Sequence, residues 1–303
     1  MRPLIPAASL LAAALLLAAC QTTPQNASQA TAPADAAPAQ ASGPVADDNL
    51  NAVLWVQTSA EYRASAETIY RAAADELDKA LAERNWDALV PSERDNAGAI
   101  AGLKPAVIMD VDETVLDNSP YQARLVRDQA QYSDPTWDLW VAEKKAKAVP
   151  GVVDFARAAT EKGVTILYLS NRAVHLKEAT LANLKAVGMP VASDEVFLGL
   201  GTVVPGCEQN GSEKNCRRRL AGQKYRVLMQ FGDQLGDFVE VVANTPQGRD
   251  GLLEEYGDWF GERWWMLPNP TYGGWEPALF NNDWAQPKAA RREAKWEALE
   301  FAD

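Results

Sequence analysis

The chain has 303 residues, 41 Asp and Glu against 29 Lys and Arg, and a formal net charge of -12. No basic stripe runs through it, which excludes nucleic-acid polymers as partners, although a small anion remains admissible if a divalent cation bridges the two. A single histidine, His175, excludes a metal centre built from several imidazoles.

The chain opens with a targeting segment. Arg2 supplies a positive start, and Leu10 to Ala19 is apolar but too short to span a membrane as a mature helix. It ends Leu17-Ala-Ala-Cys20, which resembles the bacterial lipoprotein signal; that implies cleavage after residue 19 and a lipid on Cys20. Gln21 after the cysteine favours the outer membrane, and several acyl chains on one residue anchor stably. Residues 20–47 are Ala, Pro, Gln, Thr and Ser with almost no large apolar side chain, a composition that makes a tether. Residues 48–303 remain, enough for one catalytic domain with a substantial core.

Asp48 to about Glu83 predicts one helix, with Leu50, Val53, Leu54, Val56, Ile69, Ala72, Leu77 and Leu81 near 3.6 spacing. Ala106 to Met109 predicts a buried strand. Residues 120–148, with Pro120, Pro135, Trp137 and Trp140, suggest a small insert over its end. Then follow a helix (Val152–Lys162), a strand (Val164–Leu169) and a helix (His175–Val187), with His175 as a surface residue at the helix start. A short strand at Val196-Phe197, a helix (Lys214–Ala221), strands over Tyr225–Phe231 and Arg263–Leu267, and a charged amphipathic helix (Asp283–Phe301) complete the chain. This alternation predicts an α/β fold, a mostly parallel sheet of Rossmann-like kind with helices on both faces and a small helical cap.

Polar residues follow three of the strands. The first delivers Asp110 and Asp112, spaced so that both side chains face one reacting group. A calcium loop is a poor fit, since its sixth and twelfth positions hold Val115 and Tyr121 rather than Gly and Glu. The second strand ends Ser170-Asn171-Arg172, also a good turn and helix cap, and another ends Gly232-Asp233-Gln-Leu-Gly-Asp237. Ends of strands in one parallel sheet converge on one crevice, where carboxylates suit Mg2+ and hydroxyl, amide and backbone N–H groups suit anionic oxygens. Cys207 and Cys216 flank a turn-rich loop and, in an exported protein, predict a disulfide.

Asp110-Val-Asp112-Glu-Thr-Val-Leu-Asp117-Asn-Ser-Pro120-Tyr, Leu167-Tyr-Leu-Ser170-Asn-Arg172, Gly232-Asp-Gln-Leu-Gly-Asp237-Phe and Leu267-Pro-Asn-Pro-Thr-Tyr272-Gly-Gly-Trp-Glu276 occur in that order. Together they resemble the class C bacterial acid phosphatases, outer-membrane lipoproteins of the haloacid dehalogenase superfamily. The likeness runs from Asn49, through Leu54-Trp55 and Ser59-Ala-Glu-Tyr62, to Leu279. It implies a Mg2+-dependent acid phosphatase (phosphomonoesterase) that also acts as a 5'-nucleotidase, and a dimer. By that resemblance Asp110 is the nucleophile and becomes an aspartyl-phosphate. Asp112 protonates the leaving alkoxide, then activates water. Asp110, the Asp112 carbonyl and Asp233 hold the metal, with Asp237 behind them through water. Ser170 and Asn171 take phosphoryl oxygens, and the third-motif cation is Lys214, or Arg217 if the alignment slips; a solvated basic helix face is the bland alternative for Lys214. Gln234 stands where many members carry Asn. Trp137 and Tyr272 match the rings that hold a nucleobase in relatives, although burial is the commoner use of aromatics. The alternatives from other classes are a non-catalytic surface lipoprotein that binds a ligand or partner, and a phosphotransferase using the same site. The first is disfavoured by the presence of Asp110.

Overall fold

The computed structural model describes residues 43–95 and 97–302. The signal segment, the lipidation site Cys20 and most of the tether lie outside the described residues. No described helix is long and apolar enough to cross a membrane.

The single helix expected over Asp48–Glu83 is two, α1 (Leu50–Thr58) and α2 (Ala60–Ala82). Ser59 breaks it: its backbone is extended, and its hydroxyl accepts from the Tyr62 N–H at 3.0 Å, a local bond that starts a new helix. Leu50 and Leu54, expected inside, are about half exposed, whereas Tyr62, Ala66, Tyr70, Ala73, Leu77 and Ala80 form the buried stripe. The small residues on that stripe admit a close neighbour at Gly151. Its φ is +89°, and a Cβ there would stand 3.1 Å from the Glu67 Cα.

After β1 (Lys104–Met109) comes a short antiparallel pair, β2 (Leu116–Asp117) and β3 (Lys147–Ala148). These bracket the helical insert, α3 (Ser119–Asp128) and α4 (Asp134–Glu143). Next are α5 (Val152–Glu161), β4 (Thr165–Ala173), α6 (Lys177–Ala186), β5 (Phe197–Leu200), α7 (Asn215–Lys224) and β6 (Tyr225–Gly232). The chain closes with α8 (Pro246–Tyr256), β7 (Trp264–Met266) and α9 (Lys288–Glu297). β4 runs beyond Leu169 through Ser170, Asn171 and Arg172, because Ala173 pairs with Leu200 of β5. The pattern did not predict α8. The Thr245 hydroxyl accepts from the Gly248 N–H and Pro246 follows it, but the helix fully buries no residue and packs only Leu252 and Tyr256 partly against the core, a weak apolar signal. The last helix is shorter than Asp283–Phe301 and begins after Pro287.

The five long-range strands pair only in parallel, in the order β5-β4-β1-β6-β7. Ala106, Val107, Ile108 and Met109 are all buried, as expected of a strand covered on both faces. From β1 the chain steps through α5 to β4 on one side; from β5 it steps back through α7 to β6 on the other. Right-handed crossovers in opposite directions put α5 and α7 on opposite faces. The order therefore reverses between β1 and β6, and ligand crevices form beyond the carboxyl ends of the strands at such a point. Tyr70 braces that edge: its ring stacks on Phe231 (centroids 5.3 Å apart) and its hydroxyl donates to the Thr114 carbonyl at 2.6 Å.

Candidate active site

Asp110 follows β1 and is tied to the next strand by its own N–H, which donates to the Phe231 carbonyl at 2.9 Å. Two residues beyond Phe231 stands Asp233. Then a tight turn folds the chain back, so that Asp237 Oδ2 accepts from the N–H groups of Asp233 and Gln234 at 3.0 and 2.9 Å. A side chain on Gly232 would occupy the space of the Asp237 carboxylate, so only glycine permits this fold-back. Gln234, the departure from the family pattern, completes a capping box with Asp237 and accepts from the Gly274 N–H at 2.9 Å. It leaves the aspartates in place.

The first turn of α7 supplies three buried cations, each aimed at a different strand end. Lys214 is 4% exposed, and its ammonium contacts Asp110 Oδ1 and, at 2.7 Å, Asp237 Oδ1. Arg217 donates to the Ser170 carbonyl at 2.5 Å and to Asn171 Oδ1 at 2.7 Å. Arg218 grips Glu93 through two bonds of 2.6 Å and donates to the Gly236 carbonyl at 2.8 Å. The two cations considered for the third motif thus stand in different places. Lys214 faces the aspartates, and Arg217 fastens the end of β4. Neither is a solvated face. Cys207 and Cys216 are joined by a disulfide, with Cα atoms 5.6 Å apart, closing the loop that leads into this turn.

Asp110, Asp233 and Asp237 each offer a carboxylate oxygen within 4.8 Å of the others, and a single ammonium offsets them. Burial pushes Asp110 up to about 7; Lys214 opposes this, and the charges of Asp237 and Asp112 add to it. Burial, then Asp237 and Asp110, hold Asp233 well above the ordinary carboxylate range. Burial alone would pull the Lys214 ammonium down, but Asp110 and Asp237 more than reverse it. Surplus buried negative charge on oxygen donors is what a hard divalent cation neutralises, so the donor set fits one. Asp237 already has both oxygens engaged, which suits it to hold Lys214 and the turn rather than to bind first.

Glu113 sits beside this cluster with φ at +61° and is buried. It accepts from the Asn118 N–H at 2.8 Å and from the Tyr272 hydroxyl. Burial, then the charge of Asp112, pushes its carboxyl up to about 8. A carboxyl raised on folding favours the fold fully below its ordinary value and loses that contribution as pH rises through the folded value. In chelator, the melting temperature is therefore expected to fall as pH is raised from about 5 to about 8, with Asp110 acting in the same sense. Glu113→Gln should make the slope shallower when Tm is followed across that range; an unchanged slope would show that Glu113 does not titrate there.

Asp112 points elsewhere. Its Oδ1 accepts from Arg172 at 2.9 Å and from Asn118 Nδ2 at 2.8 Å, while Ser170 Oγ lies 3.4 Å from Oδ2. Asn171 is exposed, and its side-chain oxygen is taken by Arg217, leaving its amide nitrogen to donate. Trp137, on α4, is only 9% exposed; its ring meets Tyr121 edge-on, and the Arg172 guanidinium lies 5.5 Å from its centre. Tyr272 is half-buried with its hydroxyl on Glu113. Trp137 thus reaches Asp112 only through Arg172, whereas Tyr272 contacts Glu113 directly. His175 is exposed beside Asp138, 2.9 Å away, apart from the aspartates.

Sequence reasoning missed four contributors. Asn269 donates to Asp233 Oδ2 at 2.8 Å, and Thr114 Oγ1 lies 3.4 Å from Asp233 Oδ1. Asn118 and Arg172 hold Asp112. All four lie inside the quoted motifs, but their roles depend on a turn at positive φ and on strand adjacency, which spacing does not report.

The family model described as HAD superfamily, subfamily IIIB (acid phosphatase), matches residues 8–275. The solved class C acid phosphatase from Bacillus anthracis is 34% identical, with a TM-score of 0.71 over 84% of this chain and 98% of that one. Its tungstate-bound form gives 34% and 0.72. Among curated proteins, a stem 31 kDa glycoprotein of Glycine max is 28% identical over 166 residues, 54% of this chain and 58% of that protein. Acid phosphatase 1 of Solanum lycopersicum is 24% identical over 165 residues, 54% of this chain and 57% of that one. The match thus spans less than two thirds of the curated relatives' length. By family model, shared fold and the ordered strand-end aspartates, the chain belongs to the acid phosphatases of HAD subfamily IIIB.

Proposed function

We propose that this protein is a Mg2+-dependent phosphomonoesterase, acting on small phosphate esters that include nucleoside 5'-monophosphates. One observation carries the reading: Asp110, at the switch point of the sheet, is paired with Lys214 and clustered with Asp233 and Asp237. A carboxylate there attacks phosphorus while the ester P–O bond breaks, giving an aspartyl-phosphate on Asp110. Asp112 gives its proton to the departing alkoxide. It then takes a proton from the water that attacks phosphorus and frees the Asp110 carboxylate. Lys214, Ser170 and the Asn171 amide receive the phosphoryl oxygens. Asp110, the Asp112 carbonyl and Asp233 would hold Mg2+, with Asp237 behind them; when bound, the cation offsets the charge of nucleophile and phosphate. Trp137, whose ring lies against Arg172, and Tyr272, whose hydroxyl meets Glu113, are the rings that would hold a nucleoside-sized substrate. Anchoring at Cys20 on the outer membrane belongs to the same proposal and rests on the signal segment alone.

Phosphate release from nucleoside monophosphates tests the reading. Excess chelator is expected to abolish it, added Mg2+ to restore it, and tungstate to compete with substrate, as the tungstate-bound relative suggests. A full rate in excess chelator, or no release from any phosphomonoester, overturns it.

A further inference from the structure

Arg172 closes β4 with its guanidinium wholly buried, and none of the chemistry assigned so far uses it. Its Nε donates to Asp112 Oδ1 at 2.9 Å, and its Nη2 lies at the same distance from that oxygen. Asn118 Nδ2 reaches the same atom at 2.8 Å. The amide of Asn118 has one workable orientation: its oxygen accepts from Trp140 Nε1 at 2.8 Å and from Arg172 Nη2 at 3.2 Å. Turning it over would set its NH2 against two donors inside the protein. Arg172 is itself fixed by Thr180 Oγ1 at 3.3 Å, by its own N–H on Ser170 Oγ at 3.0 Å, and by the Trp137 ring.

The two oxygens of Asp112 are therefore unequal. Oδ1 accepts from two N–H donors, which take both its lone pairs, with the charged Nη2 2.9 Å away as well. Among the described residues, the one hydrogen-bond partner of Oδ2 is a hydroxyl at 3.4 Å, a weak contact. We propose that Arg172 is a positioning residue: by occupying Oδ1 it makes Oδ2 the one proton-carrying oxygen of Asp112 and holds it toward the leaving group. This rests on the reading of Asp112 as general acid. In the forward step, the Oδ2–H bond breaks as the proton passes to the ester oxygen, and Arg172 then faces the carboxylate that remains.

A leaving group that is stable as an anion needs no proton, whereas an alkoxide does. The measurement is therefore kcat/KM for dinitrophenyl phosphate and for an alkyl phosphate, in wild type, Arg172→Met, Arg172→Lys and Asp112→Asn. Arg172→Met is expected to lose on the order of a hundredfold on the alkyl ester and less than about fivefold on the dinitrophenyl ester. Arg172→Lys, which keeps the charge but not the fork, should show the same preference more weakly. If Arg172→Met does not fold, the ratio in Arg172→Lys decides. Equal losses on the two esters, in whichever Arg172 variant folds, overturn the inference. If Asp112→Asn shows no leaving-group preference, the reading of Asp112 itself has failed, whatever Arg172 does.

Discussion

Asp110→Asn is expected to lower phosphate release by at least roughly a thousandfold, since removing a nucleophile costs more than removing any group that assists it. The fold should not suffer with the chemistry. Burial holds the Asp110 carboxyl up to about 7 despite Lys214, so above that pH its charge works against folding. Asn never ionises, and Lys214 keeps Asp237 at 2.7 Å. In chelator near neutral pH the variant should melt at or above wild type. Activity within tenfold of wild type would remove Asp110 from the nucleophile's role. A large drop in Tm would mean that the carboxylate is structural instead.

Lys214→Met reverses that pattern and should lose both properties. The ammonium is the counter-ion shared by two buried carboxylates, and taking away one partner of a buried pair costs about 3–5 kcal/mol. For a domain of this size that is roughly a 10 °C fall in melting temperature. Adding Mg2+ should narrow the gap, because a cation on Asp110 and Asp233 supplies some of the missing positive charge. Lowering the pH should also narrow it, because Asp110 then takes up a proton. Activity is expected to fall about a hundredfold, as when one charge-stabilising donor is removed. Arg217→Met is the informative partner: it loosens Ser170 and Asn171 but leaves Lys214 on the aspartates. If Lys214→Met melted with wild type and stayed active while Arg217→Met did not, the third-motif assignment would move to Arg217.

Much of the fold was legible where a physical pattern is local. The apolar run from Ala106 to Met109 is a strand because it has to be covered on both faces, and the aspartates after it follow from position alone. The break at Ser59 was missed because a cap acts over three residues, while the flanking apolar spacing reads straight through it. α8 was missed because it fully buries no residue and offers the core only Leu252 and Tyr256. In α2 the apolar spacing chose Ile69, Ala72, Leu77 and Leu81, but of these only Leu77 lies on the fully buried stripe, which otherwise runs through alanines and tyrosines.

By itself the sequence determined which residue types stand at the strand ends, in what order, and hence the family and the chemistry they are fit for. Only tertiary structure decided how they are used. Lys214 rather than Arg217 meets Asp110 because the turn into α7 brings Lys214 to the end of β1 and Arg217 to the end of β4. Asp237 holds the turn because nothing fills the space over Gly232. Asp112 has one oxygen only weakly engaged because Arg172, 60 residues away in the chain, is brought against the other. Such roles come from through-space contact between residues far apart in sequence, and local spacing carries no record of it.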